Sequence, residues 1–109
     1  MFVVTANPSF THVVKVRVPI DGGFADQSFK ATFEVMPTDE AKQFDLSDGE
    51  ASGAFLRKVL INMDDLVDGQ NQQVPYSDAI RDQLLGLQYV RAALARTYFE
   101  GVSGASLGN

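Results

Sequence analysis

Phe10-Thr11-His12-Val13-Val14-Lys15-Val16-Arg17-Val18-Pro19-Ile20 decides the fold class, because apolar side chains recur there at every second position. Phe10, Val14, Val16, Val18 and Ile20 share the even face with His12, while Thr11, Lys15 and Arg17 fall on the odd one. A period of two belongs to a strand with one buried face, since successive side chains leave opposite sides of the pleat. Phe29, Ala31, Phe33 and Val35 alternate in the same way with Lys30, Thr32 and Glu34, which predicts a second strand. The connection Asp21-Gly22-Gly23-Phe24-Ala25-Asp26 is short and supplies glycines for positive φ, so the two strands form an antiparallel β-hairpin. A hairpin alone is marginal in water, and its apolar face calls for a helical cover.

The rest of the chain supplies about four helices. Thr38 is placed to cap a short helix with Asp39 and Glu40 in its first turn, ending near Leu46. Ser47-Asp48-Gly49-Glu50 fits a capping box, with Ser47 as the cap and Glu50 reaching back to it. Phe55, Leu56, Val59, Leu60 and Met63 then form one helical face. From Asp64 to Pro75 the chain is polar, with Leu66 and Val67 as a short extended piece before a turn at Asp68-Gly69. Ser77 is the cap of a third helix carrying Ile80, Leu84 and Leu85 and ending near Gly86. A last helix starts near Leu87, repeats Leu87, Val90, Leu94 and Tyr98 at three-and-four spacing, and stops at Gly101 or Gly104. The segment from Ser103 to Asn109 is small and polar and is expected to fray. The expected architecture is α+β, an N-terminal antiparallel hairpin followed by about four α-helices in one domain, residues 1–109.

Composition narrows the function classes. The 109 residues are 45% apolar with a formal net charge of −5. That balance disfavours a general nucleic-acid binder, whose affinity comes from Lys and Arg neutralising phosphates. The absence of Cys removes disulfides, thiol nucleophiles and Cys-containing zinc sites, and leaves the redox compartment open. No apolar run approaches the roughly 18 residues of a membrane span, and no basic region precedes the first apolar residues, so a soluble, unexported chain is expected.

Each candidate for chemistry has a simpler reading. Asp64, Asp65 and Asp68-Gly69 fail the calcium-loop spacing, which requires an oxygen ligand at the third position and a bidentate acid at the twelfth. His12 is the sole histidine and lies on an apolar-rich strand face, without the nucleophile and orienting group that a general base needs. Asp45 with Asp48, and Asp64 with Asp65, sit at helix ends or turns where capping accounts for them. Gly22-Gly23 joins two strands and cannot be a phosphate loop, which opens a helix. Arg57, Lys58, Arg81, Arg91 and Arg96 read as solvated helix faces. No catalytic, cofactor or metal residue is therefore expected.

The aromatic content points elsewhere. Phe29, Phe33 and Phe55 read as core, but neighbours on a helix point about 100° apart, so a core that takes one of Tyr98 and Phe99 need not take the other. With Val102 and Leu107 just beyond, the C-terminal end is a candidate apolar contact surface, against ordinary packing as the alternative.

The same helix, from Leu87-Gln88-Tyr89-Val90-Arg91 through Ala92-Ala93-Leu94-Ala95-Arg96-Thr97-Tyr98-Phe99-Glu100-Gly101-Val102-Ser103-Gly104-Ala105, resembles the C-terminal signature of the tail assembly chaperones of long-tailed bacteriophages and prophages. The remaining order agrees: an Asn-Pro-Ser-Phe start, a Val-rich strand, Gly-Gly, a Phe-rich strand, Met36-Pro37-Thr38-Asp39-Glu40, then Val67-Asp68-Gly69 and Val74-Pro75-Tyr76-Ser77. Unlike most members, the chain has no Trp around Asn62 to Asp64. The resemblance implies a non-enzymatic protein that binds the tape measure protein, keeps it soluble and recruits major tail tube subunits. It implies action in the cytoplasm of the bacterial host and absence from the mature virion. It also implies a longer form made by frameshifting, which the gene sequence around Leu107-Gly108-Asn109 would test. The candidate partner-binding residues are Val90, Leu94, Tyr98, Phe99 and Val102, with no nucleic acid and no membrane as partner and with self-association compatible with the same apolar surface. The alternative is another tail or connector morphogenesis protein that stays in the virion. A small hydrolase, or a regulatory nucleic-acid binder with salt-sensitive binding, would be a different class of answer.

Overall fold

The computed structural model describes residues 1–104. Strand β1 (Ser9–Ile20) and strand β2 (Gly23–Glu34) pair antiparallel without interruption from Ser9↔Glu34 to Ile20↔Gly23. The two-residue turn between them needs Gly22 at a φ of +77°, a conformation in which an L side chain would crowd its own backbone. The hairpin is therefore the expected one, but β2 begins six residues earlier than the alternation at Phe29 suggests. From Gly23 to Ser28 both faces are largely exposed, so burial imposes no pattern there.

On the covered face, Val14 and Val16 of β1 and Phe29, Ala31 and Phe33 of β2 are buried. Full burial of a Phe side chain such as Phe33 contributes about 1.5–3 kcal/mol. The cover is a layer of helices: α1 (Thr38–Ala41), α2 (Gly49–Val59), α3 (Asp78–Leu85) and α4 (Gln88–Ser103). Helix α4 lies against β1, and α2 and α3 pack beside it. Phe55, Leu56 and Val59 of α2, Leu85 of α3, and Val90, Ala93, Leu94 and Tyr98 of α4 complete one apolar cluster. Thr97, buried among them, donates its hydroxyl to the Ala93 carbonyl at 2.8 Å, so its polar atom is satisfied within its own helix.

The second half of the expected α2 face is a strand. The helix ends at Val59, and β3 (Leu60–Asp64) runs antiparallel to β2, making a sheet of order β1-β2-β3. Phe33 pairs with Leu60 and Thr32 with Asn62, which leaves Ile61 as the extra residue of a β-bulge. The bulge turns Leu60 and Met63, three apart, toward the same core. Their spacing imitates a helical stripe, which is why the helical period runs on through a strand.

Two helix starts differ in detail. Thr38 does not cap α1; Pro37 precedes it, no side chain caps it, and the helix is a single turn that stops at Ala41 rather than near Leu46. Ser47 does not cap α2, because Asp45 two residues upstream takes both its N–H (3.0 Å) and its hydroxyl (2.6 Å). Asp48 caps instead, accepting from the Glu50 N–H at 3.3 Å. Ser77 caps α3 as expected, accepting from Ile80 N–H at 3.1 Å. Gly104, at φ +74°, closes α4, while Gly101 lies inside that helix. Ser103 is helical, and the remainder of the expected frayed segment, 105–109 with Leu107, lies outside the described residues.

Candidate apolar contact surface

The C-terminal half of α4 divides its aromatic residues between core and solvent. Tyr98 is 3% exposed, and its hydroxyl accepts the Met36 N–H at 3.0 Å, tying the helix to the segment after β2. Its ring lies edge-on to Phe33 (5.5 Å between centroids) and to Phe55 (5.2 Å). Phe99, one residue on, is 39% exposed. It stacks on Phe55 with centroids 5.6 Å apart and ring planes 14° from parallel, and meets Tyr98 edge-on at 5.1 Å. Such aromatic pairs each contribute about 0.5–1.5 kcal/mol beyond area burial, so Phe99 is held in place although it faces water. Val102, three residues further and 42% exposed, continues that outer face. Phe44 packs edge-on against Phe55 at 5.6 Å, and Leu46 beyond it is exposed.

The five candidate partner-binding residues therefore separate. Val90, Leu94 and Tyr98 are buried in the chain's own core, since their spacing places them over β1 and α2, and a surface partner cannot reach them. Phe99 and Val102 remain accessible.

The titratable candidates are committed to local structure. His12 is half-buried against the Phe10 ring, 5.1 Å between centroids. Asp68 accepts the N–H groups of Gln70 (2.9 Å) and Gln72 (3.0 Å), closing the turn beside the Val67↔Gln73 bridge. Asp64 accepts from the Asn62 amide at 3.1 Å, and Asp65 lies 4.0 Å from Lys30. The hydrogen bonds from Ser47 hold the Asp45 carboxyl below the ordinary carboxylate range. Among the described residues, no three His, Asp or Glu side chains converge as metal ligands.

The basic helix residues do more than face solvent. Arg57 and Arg81 both donate to one Asp82 oxygen at 3.0 Å, joining α2 to α3 and lowering the Asp82 carboxyl, with the Arg81 bond the larger cause. That same bond raises the Arg81 guanidinium, while partial burial pushes the nearby Tyr76 phenol up. Arg91 donates to the Leu85 carbonyl at 2.9 Å, capping α3, and Arg96 donates to the Lys15 carbonyl at 2.8 Å. Sequence reasoning misses these tethers because their acceptors are backbone carbonyls six and eighty-one residues away.

The chain matches no protein-family model, no curated protein and no solved structure.

Proposed function

We propose that the chain is a non-enzymatic assembly chaperone that engages an apolar helical client through the outer face of the C-terminal half of α4. The observation that carries the proposal is Phe99, exposed yet stacked on Phe55, with Val102 beside it on the same face. An anchor already held by its neighbours loses little further freedom on binding, and two apolar positions three apart match the ridge of a partner helix. The net charge of −5 keeps a chain with such a surface away from zero charge, which favours solubility.

The resemblance read from the sequence gives this client a candidate: the tape measure protein of a long-tailed phage, kept soluble while major tail tube subunits are recruited around it. On this proposal the chain acts in the host cytoplasm and leaves before the virion is complete. Co-expression with the neighbouring tape measure and tail tube proteins, followed by pull-down and a tape measure solubility assay, tests it. The expected result is co-purification with soluble tape measure protein, lost in a Phe99→Ala/Val102→Ala double variant of unchanged circular dichroism. Failure to bind either protein, with solubility unaltered, overturns it. Detection of the chain in purified virions favours the alternative of a retained morphogenesis protein.

A further inference from the structure

The outer face of the sheet gathers cations; Lys30 has Asp65 at 4.0 Å, and the others have no counter-ion among the described residues. Lys15 and Arg17 project from β1 away from the core, and Lys30, paired with Val13, lies diagonally from Lys15. Arg96 reaches the same place from α4 through its bond to the Lys15 carbonyl. Among the described residues, no carboxylate oxygen lies within 4.0 Å of Lys15, Arg17 or Arg96, whereas Arg57, Lys58 and Arg81 are all paired. Asp26 stands opposite Arg17 in register, but the guanidinium sits 4.7 Å from the Phe24 ring centroid. An open groove of about 610 Å3 lies here, lined by Val13, Lys15, Arg17, Asp26, Ser28 and Arg96 among others.

The groove borders an unpaired strand edge. Val35 donates to the Pro8 carbonyl at 2.8 Å, so the backbone groups of the even-numbered residues that follow face β2. Those of Thr11, Val13, Lys15 and Arg17 accordingly face the open side, which is where Arg96 meets the Lys15 carbonyl. Pro19 shares that side, and its missing N–H costs no ladder bond there. Open edges of this length invite an added strand.

We propose that the β1 edge and this groove bind an extended, acidic peptide segment of a different protein, added as a fourth strand. Alternate side chains of an extended segment share one face, so carboxylates two residues apart would meet Lys15 and Arg17, also two apart. Arg96 would exchange its carbonyl for a carboxylate. Charge complementarity favours another protein over residues 1–8 of this sequence, Met1-Phe2-Val3-Val4-Thr5-Ala6-Asn7-Pro8, which are exposed but carry no acid. The inference is independent of the client-binding proposal, which concerns a different face.

A fluorescein-labelled octapeptide alternating Glu and Val is the probe, with a Lys-for-Glu version and a version N-methylated at alternate amides as controls. The expected result is saturable binding by fluorescence anisotropy that weakens with salt, is absent for the Lys peptide, and falls about tenfold or more in Lys15→Glu/Arg17→Glu. The N-methylated peptide loses binding, and amide shifts in labelled protein concentrate at Thr11, Val13, Lys15 and Arg17. Arg96→Gln, which leaves both strand positions untouched, weakens binding as a second variant; thermal melts check that both variants fold. No saturation by about 1 mM peptide, equal binding by folded variants, or shifts centred elsewhere overturns the proposal. Tighter binding of a single-stranded oligonucleotide at these cations overturns it in favour of a phosphate ligand.

Discussion

The two ladders of the sheet are built on different terms. Between β1 and β2 the register is unbroken over both strands and is set by a two-residue turn. Between β2 and β3 only a short stretch pairs, interrupted at Ile61, and the strand follows α2 with no intervening loop. The first ladder is local, so its closure entropy is small. The second brings Leu60 beside Phe33 across the intervening α1 and α2, and side chains outside the sheet hold it: the Arg57–Asp82–Arg81 junction fastens α2 to α3, and the Tyr76 hydroxyl donates to the Leu60 carbonyl at 3.5 Å. The hairpin's register is set by its own turn and strands, whereas the pairing of the third strand depends on the helical layer.

Phe33 is where the ladders meet, opposite Phe10 on one side and Leu60 on the other, and it is fully buried. Phe33→Ala is expected to have the largest effect, about 3–5 kcal/mol in urea unfolding, because a cavity opens under both strands. Amide exchange should accelerate across β1, β2 and β3 together. A loss confined to β3 would mean that the hairpin stands without this ring, sharpening the contrast between the ladders.

Gly101 probes the β1 side alone. A Cβ built there would lie 2.5 Å from Phe10 Cε2 and 3.0 Å from His12 Cδ2. Phe10 cannot swing freely, since Phe33 and Tyr98 flank its ring at 5.3 and 5.9 Å. Gly101→Ala gains helix propensity but overpacks this contact, and a net destabilisation of about 1–3 kcal/mol is expected. Phe10→Leu should restore part of it in the double variant. A stabilised Gly101→Ala protein would show that α4 can lift from β1 at little cost.

Legibility follows the same division. The hairpin is readable because Val14, Val16, Phe29, Ala31 and Phe33 obey one period over one buried face. The start of β2 is not, because Phe24 and its neighbours project beyond the helical cover where burial selects nothing. β3 is misleading rather than silent: the bulge spaces Leu60 and Met63 as a helix would. On the outer face of α4, the divergence of Tyr98 from Phe99 follows from helix geometry. Which of them faces inward depends on how α4 is rotated over β1, and that is fixed by Val90, Ala93, Leu94 and Gly101 acting together. Arg96 and Lys15 were beyond reach because a guanidinium seeking a strand carbonyl leaves no local pattern.

The smallest effect is expected at Asp82, and it falls on the β3 side. Its carboxyl is depressed by Arg81 first and Arg57 second, so the folded chain binds a proton there less readily than the unfolded one. A depressed carboxyl contributes stability that is present above the unfolded value, about pH 4, and that is lost as pH falls through the folded value. Asp82→Asn keeps an oxygen acceptor and removes the charge. Its melting temperature should lie slightly below that of the parent chain at neutral pH, and the gap should close progressively below about pH 4. The exposed setting keeps the gap small and salt-sensitive. In amide exchange at neutral pH, Asn62 and Asp64, which stand opposite Thr32 and Lys30 and whose amides face β2, should lose protection while Val14 and Val16 keep theirs. A uniform loss across the sheet, or a gap independent of pH, would mean that the junction between α2 and α3 is not what secures the third strand.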